Sequence, residues 1–288
     1  MIFQEHASKR ISFVLVTLNR VNYVREALRL AESIVGAEDE LIIIDGGSTD
    51  GTQEVVAGYP DLVDFMVSEP DFGPTDAFNK GLLLARGKYV KQLTDDDTYF
   101  SDAIEQAVRV LDEWPEIDLL VCGGTRQVGS ERKIVYVPIG ANFGESTEDL
   151  FKYGASGCGY VYRRSSLSRT GLLNPMGVAT DGEYLVQAIA NKANIKFCRI
   201  NMFHHPLLDH SFVVKHKQAH ASDMLKIARR HCSSRFYWRY RSKMVVVRIA
   251  PLRVIARAIK GLFEMALVHP RSRRRSEFEN PIWDGGFS

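Results

Sequence analysis

Three aspartates in a row, Asp95, Asp96 and Asp97, follow the apolar-rich run KYVKQLT (88–94). Adjacent carboxylates repel one another, and a cation is the simplest way to hold them together. Mg²⁺ or Mn²⁺ binds through one or two carboxylates while substrate phosphates complete its shell, so this run suits a nucleotide diphosphate. A solvated acidic turn is the alternative reading of the same residues. Polar side chains also end three other apolar runs. Thr17-Leu18-Asn19-Arg20 closes ISFVLVT (11–17), Asp45-Gly46-Gly47-Ser48 closes LIII (41–44), and Ser68-Glu69-Pro70-Asp71 closes VDFMVS (63–68). Turn and cap duty accounts for any one of these ends. Four that converge describe a binding site.

They converge if the runs are neighbouring strands of a parallel sheet, whose ligands bind beyond the carboxyl ends. The intervening segments read as helices. After Asn22, a candidate cap, Val24, Ala27, Leu28, Ala31 and Ile34 recur at helical spacing. The turn GGSTDGT leads into a helix towards Ala57, and a further helix from Thr75 to Arg86 stops at Gly87. Another spans Ser101 to Glu113 before Pro115, and DLLVCGG (118–124) is the next strand. This alternation predicts an α/β fold with a mostly parallel sheet covered by helices on both faces. After Gly129 the pattern changes. IVYV (134–137) and YVYR (160–163) read as antiparallel strands around the turn GASGCG (154–159). A helix from Asp181 to Asn191 and a strand IKFCRI (195–200) follow, then the His-rich MFHHPLLDHS (202–211) as loop. From Lys215 the chain reads as helix, broken or restarted at Pro251.

Composition narrows the class. The 288 residues, 45% hydrophobic and 25% charged, exclude collagen-like, low-complexity and disulfide-scaffold chains. The opening MIFQEHASKR lacks the apolar run of a secretory signal, and no charge-free apolar stretch reaches membrane-spanning length. Cys122, Cys158, Cys198 and Cys232 lack metal-cluster spacing and read as free thiols in a reducing cytosol. The net charge of +2 conceals a split. Residues 1–221 hold 22 Lys and Arg against 30 Asp and Glu, a net of −8; residues 222–288 hold 15 against 5, a net of +10.

The blocks ISFVLVTLNR, LIIIDGGSTDGT and VSEPDFGPTDAFNKGLLLARGKYVKQLTDDD resemble, in order and spacing, the family-2 glycosyltransferases of GT-A fold. With the later acidic position, the likeness covers residues 11 to about 211. It implies a Rossmann-type catalytic domain over 1–214, with a nucleotide-sugar half to 128 and an acceptor half from 129, and a helical extension over 215–288. It also implies an inverting transfer from a nucleotide sugar to an acceptor hydroxyl, with Mn²⁺ or Mg²⁺ on the diphosphate. Thr17 and Asn19 match positions lining the nucleoside pocket, and Asp45 matches the first acid of the strand-two pair. The second acid, often a reader of uracil, is Gly46 here, which opens the identity of the base while a UDP-sugar stays favoured. Asp71 and Asn79 match donor-side positions. Asp96 matches the last acid of the DxD-like motif and is the expected metal ligand; the first position is Thr94, leaving a ribose contact to Asp95. Asp181, in GVATDGEYLVQ, matches the catalytic base, with Glu183 as fallback and a helix N-cap as its structural alternative. Among His204, His205 and His210, His210 is the expected second metal ligand, ahead of His205. Arg163 and Arg164 are candidates for the acceptor cleft or plain exposed charges.

The tail invites a separate reading. In PLRVIARAIKGLFEMALV (251–268) a charged stripe, Arg253, Arg257, Lys260 and Glu264, opposes a broad apolar face, between RFYWRYRSKMVVVR and HPRSRRR. Such helices lie on anionic membranes, so residues 236–276 are expected to dock on the cytoplasmic face of one. Packing of the same helices on the catalytic domain is the alternative, and nucleic acid is not an expected partner. The expected acceptor is a glycan or lipid-linked glycan in surface polysaccharide or glycolipid assembly, and the expected location is the cytoplasm. Two rival functions stand beside this one. A sugar nucleotidyltransferase would need a Gly-rich basic loop after the first strand, where LNRVNY has no glycine. A non-catalytic membrane adaptor of the same fold would have little reason to hold both Asp96 and Asp181.

Overall fold

Every residue of β1 (Ile11–Thr17) and of β2 (Glu40–Asp45) is buried, as strands covered by helices on both faces must be. The computed structural model describes residues 9–128, 131–135, 147, 148, 151, 156–207 and 215–248. β1 lies between β2 and β4 (Tyr89–Thr94), parallel to both, and β3 (Phe65–Ser68) extends the parallel set beyond β2. A two-residue β5 (Thr98–Tyr99) follows, then β6 (Leu119–Val128) and its antiparallel partner β7 (Glu131–Val135). β8 (Tyr160–Arg163) runs antiparallel between β4 and β6, and β9 (Ile195–Leu207) lies parallel to β6. The sheet order is β3-β2-β1-β4-β8-β6-β9-β5, with β7 paired to β6 off that path.

Two cores form, one on each face. α1 (Val21–Ile34) and α4 (Ser101–Glu113) bring Val24, Leu28, Ile104 and Leu111 against Phe13 and Leu15. On the other face α3 (Pro74–Leu84) and α6 (Thr180–Ala190) bring Phe78, Leu82, Tyr184 and Leu185 against Val14 and Val90. Gly81 lets α3 settle onto β1, because a Cβ there would stand 2.2 Å from Val14 Cγ1. Two short helices, α2 (Thr52–Ala57) and α5 (Leu167–Thr170), fill connections. The chain then continues through α7 (Lys217–His231) and α8 (Ser234–Arg248).

Three expectations need correction. The stretch 202–207 is strand: β9 continues through it, pairing Phe203, His204 and His205 with Gly124, Thr125 and Arg126. Register shifts around Gly123 let the strand resume after an irregular segment, and its histidines conceal the apolar pattern that a strand normally shows. The cap of α1 is Arg20 rather than Asn22, and the Val21 N–H is met at 2.9 Å by the Asp50 carboxylate from the neighbouring loop. Arg163 is buried and donates to the carbonyls of Leu111, Trp114 and Ile117, so it fastens the end of α4 and does not border a cleft. Arg164 donates to Gly87 O at 2.7 Å.

The first helix of the basic extension is joined to the body. Ile227 and Ala228 of α7 are buried, and Asp223 accepts a hydrogen bond from Val178 N at 2.8 Å. α8 packs Phe236 and Tyr240 around Phe151. Pro251 and the helix expected over 251–268 lie outside the described residues. Among those described, no helix is long and apolar enough to cross a membrane. The four cysteines are free thiols.

Candidate active site

The strand ends do lie side by side. In register, Thr17 stands opposite Asp45 and Asp45 opposite Ser68, while Thr94 pairs with Val16 on the other flank of β1. Asp45 is fully buried, and its carboxylate accepts from Ser48 N (2.9 Å), Ser48 Oγ and Ser68 Oγ (2.5 Å). It therefore braces the turn after β2. Asn19 adopts a left-handed backbone (φ 51°), which asparagine tolerates better than most residues. Its N–H donates to Ser48 Oγ at 2.7 Å, and its side-chain oxygen accepts from Thr49 N at 2.9 Å. Asp71 accepts from Gly73 N at 2.7 Å. Its other oxygen lies 2.7 Å from where a Cβ on Gly46 would stand, so the missing side chain at 46 leaves room for the Asp71 carboxylate. Asn79 is buried, and both ends of its amide pair with the Leu173 backbone at 2.7 and 3.0 Å.

The three aspartates have three different surroundings. Asp95 accepts from Thr17 Oγ1 at 2.9 Å and sits 3.2 Å from Arg20 Nε; burial nevertheless pushes its carboxyl up to about 7, with Arg20 opposing. Asp96 is paired with Arg20 Nη2 at 3.0 Å. Arg20, whose guanidinium also lies 4.2 Å above the Tyr23 ring, thus places a cation between the first two carboxylates. Asp97 faces inward. It accepts from Thr94 Oγ1 (2.5 Å) and Cys158 Sγ (3.0 Å), and its other oxygen lies 2.5 Å from His205 Nδ1. Burial raises this carboxyl, but the hydrogen bond and charge of His205 outweigh it and hold it below the ordinary aspartate value. The ligand atoms of Asp97, Cys158 and His205 lie within 4.8 Å of one another, a candidate cation-holding group among the described residues. Burial pushes the Cys158 thiol well up, which disfavours the thiolate that a metal would take. The oxygen and imidazole donors fit a hard or borderline cation better. His210 lies outside the described residues; His205 is the imidazole brought to the acidic run.

Asp181 lies within the first turn of α6, after an Ala179 cap, so it is not the N-cap. Its Oδ2 accepts from Gly157 N at 2.8 Å, and burial raises its carboxyl, opposed by that bond and by His220, Arg126 and His205. Glu183 is engaged elsewhere, accepting from Asn174 Nδ2 at 3.1 Å. One dipeptide links the two acidic centres: Gly157 holds Asp181, and Cys158 holds Asp97. Beneath it, the buried Lys91 donates to the carbonyls of Gln92 and Cys158 at 2.6 and 2.7 Å, and burial pulls its pKa down to about 8. Lys91, Gly157, Cys158 and His220 had no expected part in the site, and Arg20 was expected there only as one of the polar strand-end residues. Contacts between elements distant in sequence produce each of these placements. A Cβ at position 157 would stand 2.9 Å from Asp181 Oδ1 and 3.0 Å from Gln92 Oε1. Gly157→Ala is therefore expected to displace the Asp181 carboxylate and lower kcat about 10-fold or more, since small misplacements of a reacting group are costly. Steady-state kinetics beside a urea melt will show whether the loss exceeds any change in stability.

Residues 12–171 match the family described as Glycosyl transferase family 2. An uncharacterized glycosyltransferase of Rickettsia prowazekii (strain Madrid E) is 28% identical over 129 residues, 45% of this chain and 40% of that protein. The match thus spans well under half the length of this relative. Among solved structures, S. aureus TarS 1-349 in complex with UDP-GlcNAc is similar with a TM-score of 0.56 at 17% identity, covering 76% of this chain and 64% of that one. The mannosyltransferase PcManGT from Pyrobaculum calidifontis, in complex with GDP-Man and Mn²⁺, is similar with a TM-score of 0.53 at 17% identity, covering 88% and 87%.

Proposed function

This chain belongs to glycosyl transferase family 2, and on that premise we propose that it moves a sugar from a nucleotide-sugar donor to an acceptor hydroxyl with inversion. The observation carrying this reading is the Gly157-Cys158 bridge, which ties a half-buried carboxylate to the end of the aspartate run. Asp181 is the base. The Gly157 N–H fixes one of its oxygens, leaving the other to take the proton of the acceptor hydroxyl as that oxygen attacks the anomeric carbon. Attack opposite the departing diphosphate inverts the configuration. Asp96, with Asp97 and His205 beside it, would hold a divalent cation, which when bound offsets charge on the leaving diphosphate. Arg20 lies at the same place and adds a fixed positive charge for the leaving group. Thr17, Asn19 and Asp71 remain donor-side candidates at the strand ends, while Asp45 and Asn79 act by bracing them.

The two similar solved structures hold a UDP-sugar and a GDP-sugar, so a test must offer both bases. Thermal unfolding with a panel of UDP- and GDP-sugars, with and without Mn²⁺, is expected to yield at least one donor that stabilises the protein chiefly when Mn²⁺ is present. A ligand at about 100 times its Kd contributes about 2.7 kcal/mol, well within detection. No stabilisation by any donor, together with no donor hydrolysis, would overturn the proposal.

A further inference from the structure

Around Asp181 stand basic side chains that the proton transfer does not require. Arg126 of β6 is in register with His205 of β9, and His220 projects from α7. Burial raises the Asp181 carboxyl, opposed by the Gly157 N–H and by the nearby His220, Arg126 and His205; burial also holds the His220 imidazole below its ordinary value, so near neutral pH it offers a ring N–H donor and Arg126 supplies the fixed charge. The strands carrying Arg126 and His205 lie side by side, and α7, which carries His220, packs Ile227 into the same core as Tyr184 and Leu185 of the helix that carries Asp181. His205 is taken by Asp97, but Arg126 and His220 are not paired there. The Nε of Arg126 is buried with no hydrogen-bond acceptor, and among the described residues its side chain makes no ion pair. The His220 ring likewise makes no hydrogen bond among the described residues. Asp223, the other nearby acid, is already taken by Lys226 (2.9 Å) and Val178 N (2.8 Å). A guanidinium offers donors in a fixed fork, and although Arg126 as a whole is half-buried, leaving its buried Nε without an acceptor is costly unless a ligand supplies one.

We propose that Arg126 and His220 form an anion subsite that receives a carboxylate or phosphate on the acceptor and so brings the acceptor hydroxyl to Asp181. The charge of the body makes such a subsite necessary for an anionic acceptor. Residues 1–221 carry a net −8, which repels anions, so an anionic glycan or phosphorylated polyol needs a local cation, here Arg126, to reach the base. A bidentate guanidinium contact would also fix the orientation of the acceptor.

This inference rests on Asp181 being the base, and its test is chosen to fail separately. Inorganic phosphate is titrated into the full-length protein, without Mn²⁺, while the ring proton signals of His220 are followed by NMR, assigned with His220→Gln. Phosphate is expected to shift the His220 signal, and Arg126→Gln is expected to weaken that binding about tenfold. UDP and GDP binding should be unchanged in the variant, and neither nucleotide should displace phosphate. An unmoved His220 signal would overturn the proposal, as would Arg126→Gln binding phosphate like the wild type. Displacement by UDP or GDP would assign these two groups to the donor diphosphate and overturn it equally. If Arg126→Gln does not fold, Arg126→Lys, which keeps the charge but loses the fork, is expected to bind phosphate more weakly; wild-type affinity there would count against the subsite. Normal turnover by Asp181→Asn with phosphate still bound at His220 would sink the base and leave the anion subsite standing.

Discussion

Asp181→Asn is expected to bind nucleotide-sugar donors like the wild type and to transfer sugar about 10²–10⁴-fold more slowly. The substitution keeps the acceptor for the Gly157 N–H, so the turn before β8 stays in place. What disappears is the lone pair that, in the proposed mechanism, takes the acceptor proton. Burial raises the Asp181 carboxyl above its ordinary value, which gives two further signs. For catalysis, the active form is the carboxylate, so kcat/KM should fall as pH drops through a value above the usual aspartate range. For stability, the raised folded pKa means that the native state binds the proton more tightly than the unfolded chain does. The native state therefore loses stability as pH rises from the unfolded to the folded value, and the penalty is complete above it. The amide cannot ionise and escapes that penalty, so Asp181→Asn should melt no lower than the wild type at neutral pH. Rate, donor affinity and melting temperature measured together give a pattern that a merely structural residue cannot produce. A structural aspartate would lose stability along with rate. Near-normal turnover would remove Asp181 from the mechanism.

How much of this was legible beforehand depends on the range of the interaction. The parallel half was, because β1, β2 and β4 are buried runs with strong alternation of elements around them, and their polar ends mark the ligand edge. Asp181 became a candidate through likeness to a family and not through its own surroundings; a lone acid near a helix start reads as a cap. Its hydrogen bond spans 24 residues, and the Cys158–Asp97 contact spans 61. No periodicity reports such pairs. Arg20 was on the page as part of LNR, but its position over Asp95 and Asp96 depends on the β1–β4 register, 76 residues apart in the case of Asp96. The strand through His204 and His205 was hidden by composition. Its pairing with β6 resumes after register shifts, and its polar side chains point to Thr125 and Asp97 in place of solvent. The charge split also changes meaning. Part of the basic extension, α7, brings His220 to the acidic centre and clamps the loop before α6 through Asp223.

The aspartate run offers the other large effect, because its members should separate under mutation. Asp97→Ala is expected to lower stability by about 2–3 kcal/mol and to abolish transfer, whereas Asp96→Ala should abolish Mn²⁺-stimulated transfer at little cost in stability. The difference follows from their partners. Removing the Asp97 carboxylate strands Thr94 Oγ1, Cys158 Sγ and His205 Nδ1 in a buried pocket, and each loses its acceptor or its counter-charge. For a domain of this size that loss corresponds to a fall of roughly 5–10 °C in Tm. The depressed Asp97 carboxyl stabilises the fold above the ordinary aspartate range and ceases to do so as pH falls through its lower folded value, so the variant should also lose part of its acid sensitivity. Asp96 touches Arg20 at its rim and is crowded by like charges on either side. Losing one ion pair there is offset by relief of repulsion, and a net change within about 1 kcal/mol is expected. Urea denaturation distinguishes the two, and donor-dependent thermal shifts with Mn²⁺ complete the comparison. If Asp96→Ala retains the Mn²⁺ response while a folded Asp97→Asn loses it, the cation belongs to the Asp97–Cys158–His205 group. In that case Asp96 serves to hold Arg20, and the electrostatic work on the leaving diphosphate falls to the guanidinium.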